Sequence, residues 1–528
     1  MIKAVRGTRD LLPPDTALWN FVEEKVREVF RAYNFQEIRT PIFEATELFA
    51  RGVGEETDIV SKEMFTWWDG YTPELVLERS WVNQFKDMYD HIEPNVALKD
   101  RSRAHFVGYK DGHPTIVKIE YGGGIPAIID LQLQQKRWPV PDIKPSLAIA
   151  VPSEKAEFVR SLIVTGVAVH RVKMPEAYEA PRSLTLRPEN TAGVVRAYIE
   201  HQLEKRGLNK LYYIGPQFRR ERPQKGRYRQ FYQIGAEVIG PASAGSESPA
   251  RDAEVLEMLA TLLDRLGITD WNLELNSVGC PNDRAAFNEA LRKALEPVKD
   301  KMCADCQRRA ETNPLRVLDC KVPEDQPIIA TLPRISQFLD EGCRTHFEAV
   351  QAILTKVGVR FTLNDRLVRG LDYYTRTAFE FTHGALGAQN AILGGGRYDG
   401  LSEALGGPAA PGIGFAIGED RLVMSLQEKS SAESVLRKPD VYIAPMAGMN
   451  GAAARLAREL RRQDVVVELG DDAFRLKKSF EAATKAGAKY ILIVGENEVK
   501  ADAFAVKDLA TGEQVSVPRA ELAGKVRA

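Results

Sequence analysis

The chain has 528 residues, a net charge of −1 and five cysteines. That length accommodates about three or four domains with their own cores, and near-neutrality gives no global pull towards nucleic acid or an anionic membrane, so nucleic-acid contacts must come from local patches. The N-terminal MIKAVRGTRD has no apolar core segment, no apolar run approaches the roughly 20 residues that span a bilayer, and so few cysteines make no disulfide framework; these features point to a soluble protein of the reducing cytoplasm.

In chain order, the first predicted element is an amphipathic helix. Leu18, Val22, Val26, Val29 and Phe30 recur at helical spacing, and Asp15 follows two prolines as a candidate N-cap. An extended stretch, FQEIRTPIFE, comes next; its Pro41 suits a strand edge or an interface. From about Trp67 to Arg182 an insert interrupts the core. Within it HFVGYKDGHPTIVKIEY predicts a hairpin turning at Asp111-Gly112, while SLAIAV, a helix near Glu154 to Val164, and VAVHRV predict strand–helix–strand. His91, His105 and His113 lack the spacing of metal ligands. Ser183 to Arg187 predicts a strand that runs through Pro188-Glu189-Asn190-Thr191 into a helix ended by Gly207, with Asn190 or Thr191 as cap.

Gln217 to Glu237 (QFRRERPQKGRYRQFYQIGAE) is the most informative stretch. It crowds arginines around a Pro-Gln-Lys-Gly turn, with strands over Leu211 to Phe218 and Arg229 to Ile239. Side chains two apart share a face, so Gln233, Gly235 and Glu237 lie together, as do Arg219 and Glu221. Such a ribbon offers guanidinium forks for phosphate beside carboxylate and amide acceptors for an ammonium or ring N–H. A merely solvated hairpin would explain the arginines, but not Glu221, Gln233 and Glu237 interrupting them at strand period; that pattern fits a pocket for a small zwitterion better than a nucleic-acid rail.

A Gly/Ala/Ser/Pro loop and a helix over about Arg251 to Leu266 follow, then a mostly helical stretch from Asn276 to Gly358. Cys303-x-x-Cys306 is a possible zinc half-site with Cys320 as third ligand; with no second close pair and Cys343 in a helical stretch, the expectation is reduced cysteines and no metal. Strands return at Thr362 to Val368, Thr377 to Thr382, Gln389 to Gly394 and Ile413 to Ile417, before a helix from Glu419. After the polar linker QEKSSAESVLRKP, strands (VYIAPM, VVVEL, YILIVG) alternate with helices, as in a small α/β domain.

The strings RGTRDLLP (Arg6 to Pro13), RTPIFE (Arg39 to Glu44), LTLRPENTAG (Leu184 to Gly193), the hairpin, LVRGLDYYTRTAFEF (Leu367 to Phe381), LGGGRYDGL (Leu393 to Leu401) and GFAIGEDRL (Gly414 to Leu422) resemble the histidyl-tRNA synthetases, a family of class II aminoacyl-tRNA synthetases. The resemblance covers nearly all of the chain except the insert. It implies an α+β fold: an antiparallel six-stranded catalytic core with a helical insertion, and a C-terminal α/β anticodon-binding domain. The chain adds an α/β insert. The corresponding divisions are 1–66, 183–275 and 363–427 for the core, 67–182 for the insert, 276–362 for the helical insertion and 438–528 for the anticodon-binding domain.

The implied reaction is activation of L-histidine by Mg2+-bound ATP to histidyl-adenylate, followed by transfer to the 3′ end of tRNA(His). It proceeds in a homodimer with RTPIFE at the interface, and with neither DNA nor membrane as partner. By resemblance Arg219 and Arg369 are catalytic, gripping the α-phosphate from opposite sides. Histidine is bound by Glu189, Thr191, Gln233, Glu237, Arg369, Tyr373 and Tyr374, and ATP by Arg219, Glu221, Gly396 and Arg421. Gly394 and Gly395 share with Gly396 the role of letting a planar base approach the sheet. Arg222, Gln224 and Lys225 at the hairpin tip reach the tRNA acceptor end, and Arg475, Lys477 and Lys478 are candidate anticodon-stem contacts. Asn190 and Tyr232 depart from the commonest pattern, which has glycine and histidine there. The rival readings are a non-catalytic paralogue acting as a regulatory subunit of histidine biosynthesis, and an RNA-binding module without chemistry. Arg369, Tyr373, Tyr374 and the C-terminal domain argue against the first, and Glu189 with Gln233 and Glu237 against the second.

Overall fold

The computed structural model describes residues 2–54, 57, 59–69, 74–76, 103–110, 113–119, 127–129, 149–151, 182–223, 226–368, 371–384, 391–427 and 436–527. It comprises two compact units, Met1–Arg9 with Val26–Ser425, and Asp10–Lys25 with Leu426–Ala528.

The larger unit is built on one sheet. Its strands are β1 (Gln36–Glu37), β2 (Asn209–Phe218), β3 (Gln230–Ile239), β4 (Trp271–Ser277), β5 (Thr362–Leu363), β6 (Thr375–His383), β7 (Ala391–Arg397) and β8 (Gly412–Gly418), in the order β1-β2-β3-β8-β7-β6-β4-β5. The six long strands are antiparallel throughout, and the two-residue β1 and β5 add a parallel strand at each edge. The expected six-stranded sheet is present. The strand expected over Thr362 to Val368 is only the edge pair Thr362–Leu363, because Asn364 and the turn after it leave the ladder. Within the extended stretch FQEIRTPIFE, Pro41 falls between β1 and a separate strand Phe43–Ala45, which belongs to another sheet.

That second sheet has Arg182–Leu186 at its centre, between Phe43–Ala45 and Phe65–Asp69. Asp69 is paired directly with Arg182 across the antiparallel ladder. The insert therefore leaves and rejoins the core at one point. Its own strands, Glu74–Val76, Arg103–Lys110, His113–Ile119, Ile149–Val151 and Ala127–Ile129, form a five-stranded sheet in that order. The predicted hairpin is there, Arg103–Lys110 pairing antiparallel with His113–Ile119. The predicted helix near 154–164 and the strand VAVHRV lie outside the described residues.

Helix α1 (Asp15–Ala32) ends in Phe30, whose ring packs 5.0 Å from that of Tyr212 and 6.1 Å from that of Phe415, against the sheet. Helix α2 (Thr191–Glu200) ends before the expected Gly207: Gln202 turns left-handed at φ 51° and a single 3-10 turn, Leu203–Arg206, then reaches Gly207. Helix α3 (Pro249–Arg265) starts with proline after the Ser248 cap, as helix starts favour, and buries Val255, Leu256, Leu259, Leu262 and Leu263. On it Asp252, fully buried, accepts hydrogen bonds from Arg397 (2.6 Å) on β7 and Thr377 (2.5 Å) on β6, and bonds His346 (2.8 Å) on helix α6 (Glu341–Lys356). One carboxylate thus ties two helices to two strands. Helices α4 (Pro281–Leu295), α5 (Ala304–Thr312) and α6 belong to the helical insertion, where Phe287, Leu291, Leu295, Val317, Leu318, Ile335 and Leu339 form a cluster of their own.

The smaller unit carries a five-stranded sheet ordered Val467–Leu469, Val441–Pro445, Tyr490–Val494, Ala503–Asp508, Gln514–Pro518, parallel over the first three strands and antiparallel beyond. Alternate residues face two apolar clusters: Val441, Ile443 and Leu492 join Leu456 and Leu460 of the helix Asn450–Arg461, while Tyr442 and Ile491 join Ala483 of the helix Leu476–Ala486.

Candidate active site

Register fixes what the large sheet presents. Residues directly opposite one another share a face, and one row reads Leu211, Glu237, Gly414, Gly396, Ala378; the next reads Tyr213, Gly235, Ala416, Gly394, Glu380. Gln233 stands opposite Gly215 and Gly418 on the same face. A sheet so short of side chains leaves room for the few that are present to lie across it. A Cβ on Gly414 would stand 1.6 Å from Oε2 of Glu237, one on Gly235 2.3 Å from the Tyr213 hydroxyl, and one on Gly396 2.8 Å from the Tyr374 ring.

Over these rows lies a polar recess. Glu237 is fully buried; its Oε1 accepts from the Thr191 hydroxyl (2.8 Å) and its Oε2 from the Tyr398 hydroxyl (2.7 Å). Burial raises its pKa to about 8, against these two bonds and with the charge of Glu189 adding to the rise. Glu189 is buried as well and is pushed up by burial, in part offset by the backbone N–H groups of Ala192 and Thr191 and by the charge of Arg219. Those N–H groups donate to it at 2.9 and 2.7 Å, so the Glu189 side chain satisfies the start of α2 from the position before the N-cap. Asn190 holds the N-cap position, as expected, but its side chain makes no capping bond and accepts from Thr40 (2.7 Å) instead; Thr191 is the first helical residue and donates to Glu237. The rings of Tyr373 and Tyr374 stand 4.7 Å apart, and Tyr373 meets Tyr398 edge-on at 6.0 Å. Several buried polar atoms in this region have no protein partner: the Tyr213 hydroxyl, Oε1 of Gln233, and both amide atoms of Gln217. Buried groups left in this state are what a hydrogen-bonding ligand satisfies.

Beside the recess is a cavity of about 290 Å³ lined by Arg219, Glu221, Phe231, Glu380, Gly394 and Arg421 among others. Arg219 stands at the join. Its Nε donates to the carbonyl of Pro188 (2.9 Å), the residue before Glu189, and its guanidinium lies over the Phe231 ring at 5.3 Å. Arg421, at the start of helix α7 (Glu419–Gln427), donates to the carbonyl of Ala391 (2.8 Å); burial, with the charge of Arg227, lowers its pKa, against the charges of Glu221 and Glu380. Glu221 is paired with Arg227 at 3.2 Å. Arg9, from the N-terminal RGTRD, bonds the Tyr228 hydroxyl (2.8 Å) and pairs with Asp420, locking the hairpin base to the start of α7.

Glu189, Thr191, Gln233, Glu237, Tyr373 and Tyr374 are thus brought to one recess, and Arg219, Glu221 and Arg421 to the adjoining cavity. Gly394 rather than Gly396 lines that cavity; Gly396 sits under Tyr374. Arg222 is exposed near the hairpin tip, whereas Arg369, Gln224 and Lys225 lie outside the described residues. Tyr232 alternates to the sheet's other face, away from Gln233, so it takes no part in the floor of the recess. Arg475, Lys477 and Lys478 are exposed at the start of the helix Leu476–Ala486, with Lys478 over the Phe474 ring at 3.8 Å. Sequence reasoning missed Tyr213, Gln217, Tyr398 and Arg9. The first two were within reach, since Tyr213 and Gln217 follow from the hairpin register once the turn at Gly226 is fixed; nothing local marks Tyr398.

A glycine-paved antiparallel sheet, an arginine-bearing hairpin across it and a separate anticodon-binding unit define an aminoacyl-tRNA synthetase. A family model described as histidyl-tRNA synthetase matches residues 151–422, and one described as anticodon binding domain matches 440–528. The histidine–tRNA ligase of Koribacter versatilis is 60% identical over 100% of this chain and 96% of its own length, and that of Solibacter usitatus 47% identical over 100% and 99%. The crystal structure of apo histidyl-tRNA synthetase from S. aureus superposes with a TM-score of 0.64 at 30% identity, covering 100% of both chains. The chain belongs to the histidyl-tRNA synthetase family. It is a catalytic histidine–tRNA ligase that uses ATP and acts on histidine and tRNA, not a regulatory paralogue.

Proposed function

We propose that the recess holds L-histidine and the adjoining cavity the ATP phosphates and base, with the reacting phosphorus at the join beside Arg219. The observation that carries this assignment is the coincidence of two buried carboxylates, Glu189 and Glu237, with the unpartnered polar atoms of Gln233, Gln217 and Tyr213 on one glycine-paved face. An ammonium and an imidazole N–H are donors that such acceptors lack, and a pocket built this way rejects analogues without them. Glu189 contributes only its remaining lone pairs, because two backbone N–H groups already occupy it. Glu237 and Tyr374 face the ring, with Tyr373 beside them; Thr191 and Gln233 complete the amine site.

Activation is in-line displacement at phosphorus, so fixed charge and positioning carry it. Arg219 stabilises the charge that develops on the α-phosphate, Arg369 does so from LVRGLDYY, and Arg421 holds the phosphate tail. Glu221 and Glu380 in the cavity wall are the carboxylates that would hold Mg2+ beside the phosphates. It would supply charge neutralisation across the phosphates. Arg222, Gln224 and Lys225 contact the acceptor end, and residues 438–528 within the smaller unit, with Arg475, Lys477 and Lys478, read the anticodon. Exposed Ile42 and Phe43 of RTPIFE, with Trp67 packed 6.0 Å from Phe43, form an apolar edge suited to a homodimer interface. No helix among the described residues is long and apolar enough to cross a membrane, in keeping with action in the cytoplasm.

Histidine-dependent exchange of pyrophosphate into ATP tests the assignment of Arg219. Arg219→Ala is expected to cut the exchange rate by about 10²–10³, the usual loss for one transition-state donor. An unchanged rate would remove Arg219 from the chemistry.

A further inference from the structure

Three cysteines and an aspartate, none of them among the residues of the recess, converge in the helical insertion. Cys303 is the N-cap of α5 and Cys306 lies in its first turn, so a single helical turn brings the Cys-x-x-Cys pair together. The chain then passes the 3-10 turn Pro314–Val317 to Cys320, and a second such turn, Pro323–Asp325, delivers Asp325. One ligand atom from each of these four residues lies within 4.8 Å of all the others. The sulfurs of Cys303 and Cys320 are 3.9 Å apart, and Cys320 is 3.2 Å from Oδ2 of Asp325. Two sulfurs on a tetrahedral zinc, each at about 2.3 Å, stand roughly 3.8 Å apart.

The surroundings favour a cation. Cys306, Cys320 and Asp325 are buried, and both cysteines belong to the apolar cluster around Val317, Leu318 and Ile329. Asp325 accepts from the backbone N–H of Cys303 (3.0 Å) and from the Cys320 thiol, and among the described residues no lysine, arginine or histidine pairs with it. A buried carboxylate without a cation is costly. Backbone N–H groups of Cys306 and Val322 point at the sulfurs of Cys303 and Cys320, each at 3.4 Å, as donors to thiolate. A second cluster, Cys280, Asp283, Asp340 and Cys343, has two sulfurs where this one has three. There the carboxylates are occupied as caps, Asp283 by the N–H groups of Cys280 and Asp340, and Asp340 by that of Cys343.

We propose that Cys303, Cys306, Cys320 and Asp325 form a structural Zn2+ site. Three thiolates and one carboxylate in tetrahedral array select zinc over the harder divalent ions, and a full set of four protein ligands leaves no open position for catalysis. On binding, the thiol protons pass to solvent and four ligand–metal bonds replace the thiol contacts. The metal would pin the start of α5 to the Cys320–Asp325 segment, closing a loop in a part of the chain with few regular elements.

The test uses the full-length protein purified without chelator. Elemental mass spectrometry is expected to find about one zinc per chain, and exchange into Co2+ to give the intense visible bands of a tetrahedral thiolate site. Cys320→Ser and Asp325→Ala should each lower zinc retained after dialysis by about tenfold or more, while Cys343→Ser keeps it. Should the variants misfold, a mercurial thiol reagent added to the wild-type protein must still release its zinc as it titrates the cysteines. Zinc below about a tenth per chain after loading and gel filtration, iron in its place, a Cys303–Cys320 disulfide in the protein as purified, or full zinc in Cys320→Ser would each overturn the proposal.

Discussion

Glu237 is the buried carboxyl at the centre of the proposed histidine site, and its environment makes a signed prediction. Its folded pKa, about 8, lies above the ordinary 4.5. Between those values the folded protein holds a proton that the unfolded chain has released, so this group's contribution to stability falls as pH rises across the window and is flat above it. The slope from one proton is at most about 1.4 kcal/mol per pH unit. Denaturant unfolding at pH 6 and pH 8 should therefore show a smaller loss of stability in Glu237→Gln than in the wild type; equal losses would mean that the carboxyl titrates normally. On the proposed assignment, the free enzyme gives up that proton in the same window to accept an imidazole N–H. Histidine affinity measured by calorimetry should tighten from pH 7 towards pH 8.5 in the wild type and stay flat in the variant. The position of Glu237 was legible from strand alternation alone. Its proton was not, because that depends on burial by Tyr398, Thr191 and Gly414, which come from distant parts of the chain.

Among the elements, β8 carries the strictest steric demand. Glu237 lies where a side chain at Gly414 would be, at 1.6 Å from an ideal Cβ, whereas a Cβ at Gly418 meets Arg421 at an ordinary 3.6 Å. Gly414→Ala must displace the carboxylate from Thr191 and Tyr398, and histidine binding should weaken about 10- to 100-fold, the cost of one or two buried hydrogen bonds. Gly418→Ala should leave histidine affinity within about threefold, since no buried partner moves. Equal effects from the two would show that the glycine paving serves chain flexibility instead of ligand access. The strands and the hairpin were readable because their polar and apolar residues alternate. The N-cap position of α2 was readable at Asn190, but not the side chain that serves the free N–H groups: the glutamate one position earlier reaches both, and side-chain length is not visible in a capping pattern.

At the scale of the molecule, the exposed Ile42 and Phe43 predict a dimer in sedimentation, and Phe43→Asp should shift it towards monomer by about tenfold or more in dissociation constant, as a charge in an apolar contact does. An unshifted dimer would move the interface elsewhere. The anticodon-binding domain could be read because its strands and helices alternate and the linker after α7 is polar. How the insert is attached could not be read, since pairing of residues more than a hundred positions apart leaves no local trace.

That attachment has a consequence of its own. Asp69 and Arg182 are neighbours on adjacent strands, so topologically the intervening segment is an enlarged hairpin turn. Replacing residues 70–181 with Asn-Gly should close the ribbon with a type I′ turn and leave histidine-dependent pyrophosphate exchange within about threefold of the intact enzyme. A collapse of exchange would mean that the segment supports the active centre. If the shortened ribbon works, the same junction is a natural port: a foreign domain with adjacent ends could be spliced there, and the enzyme would carry it as a passenger.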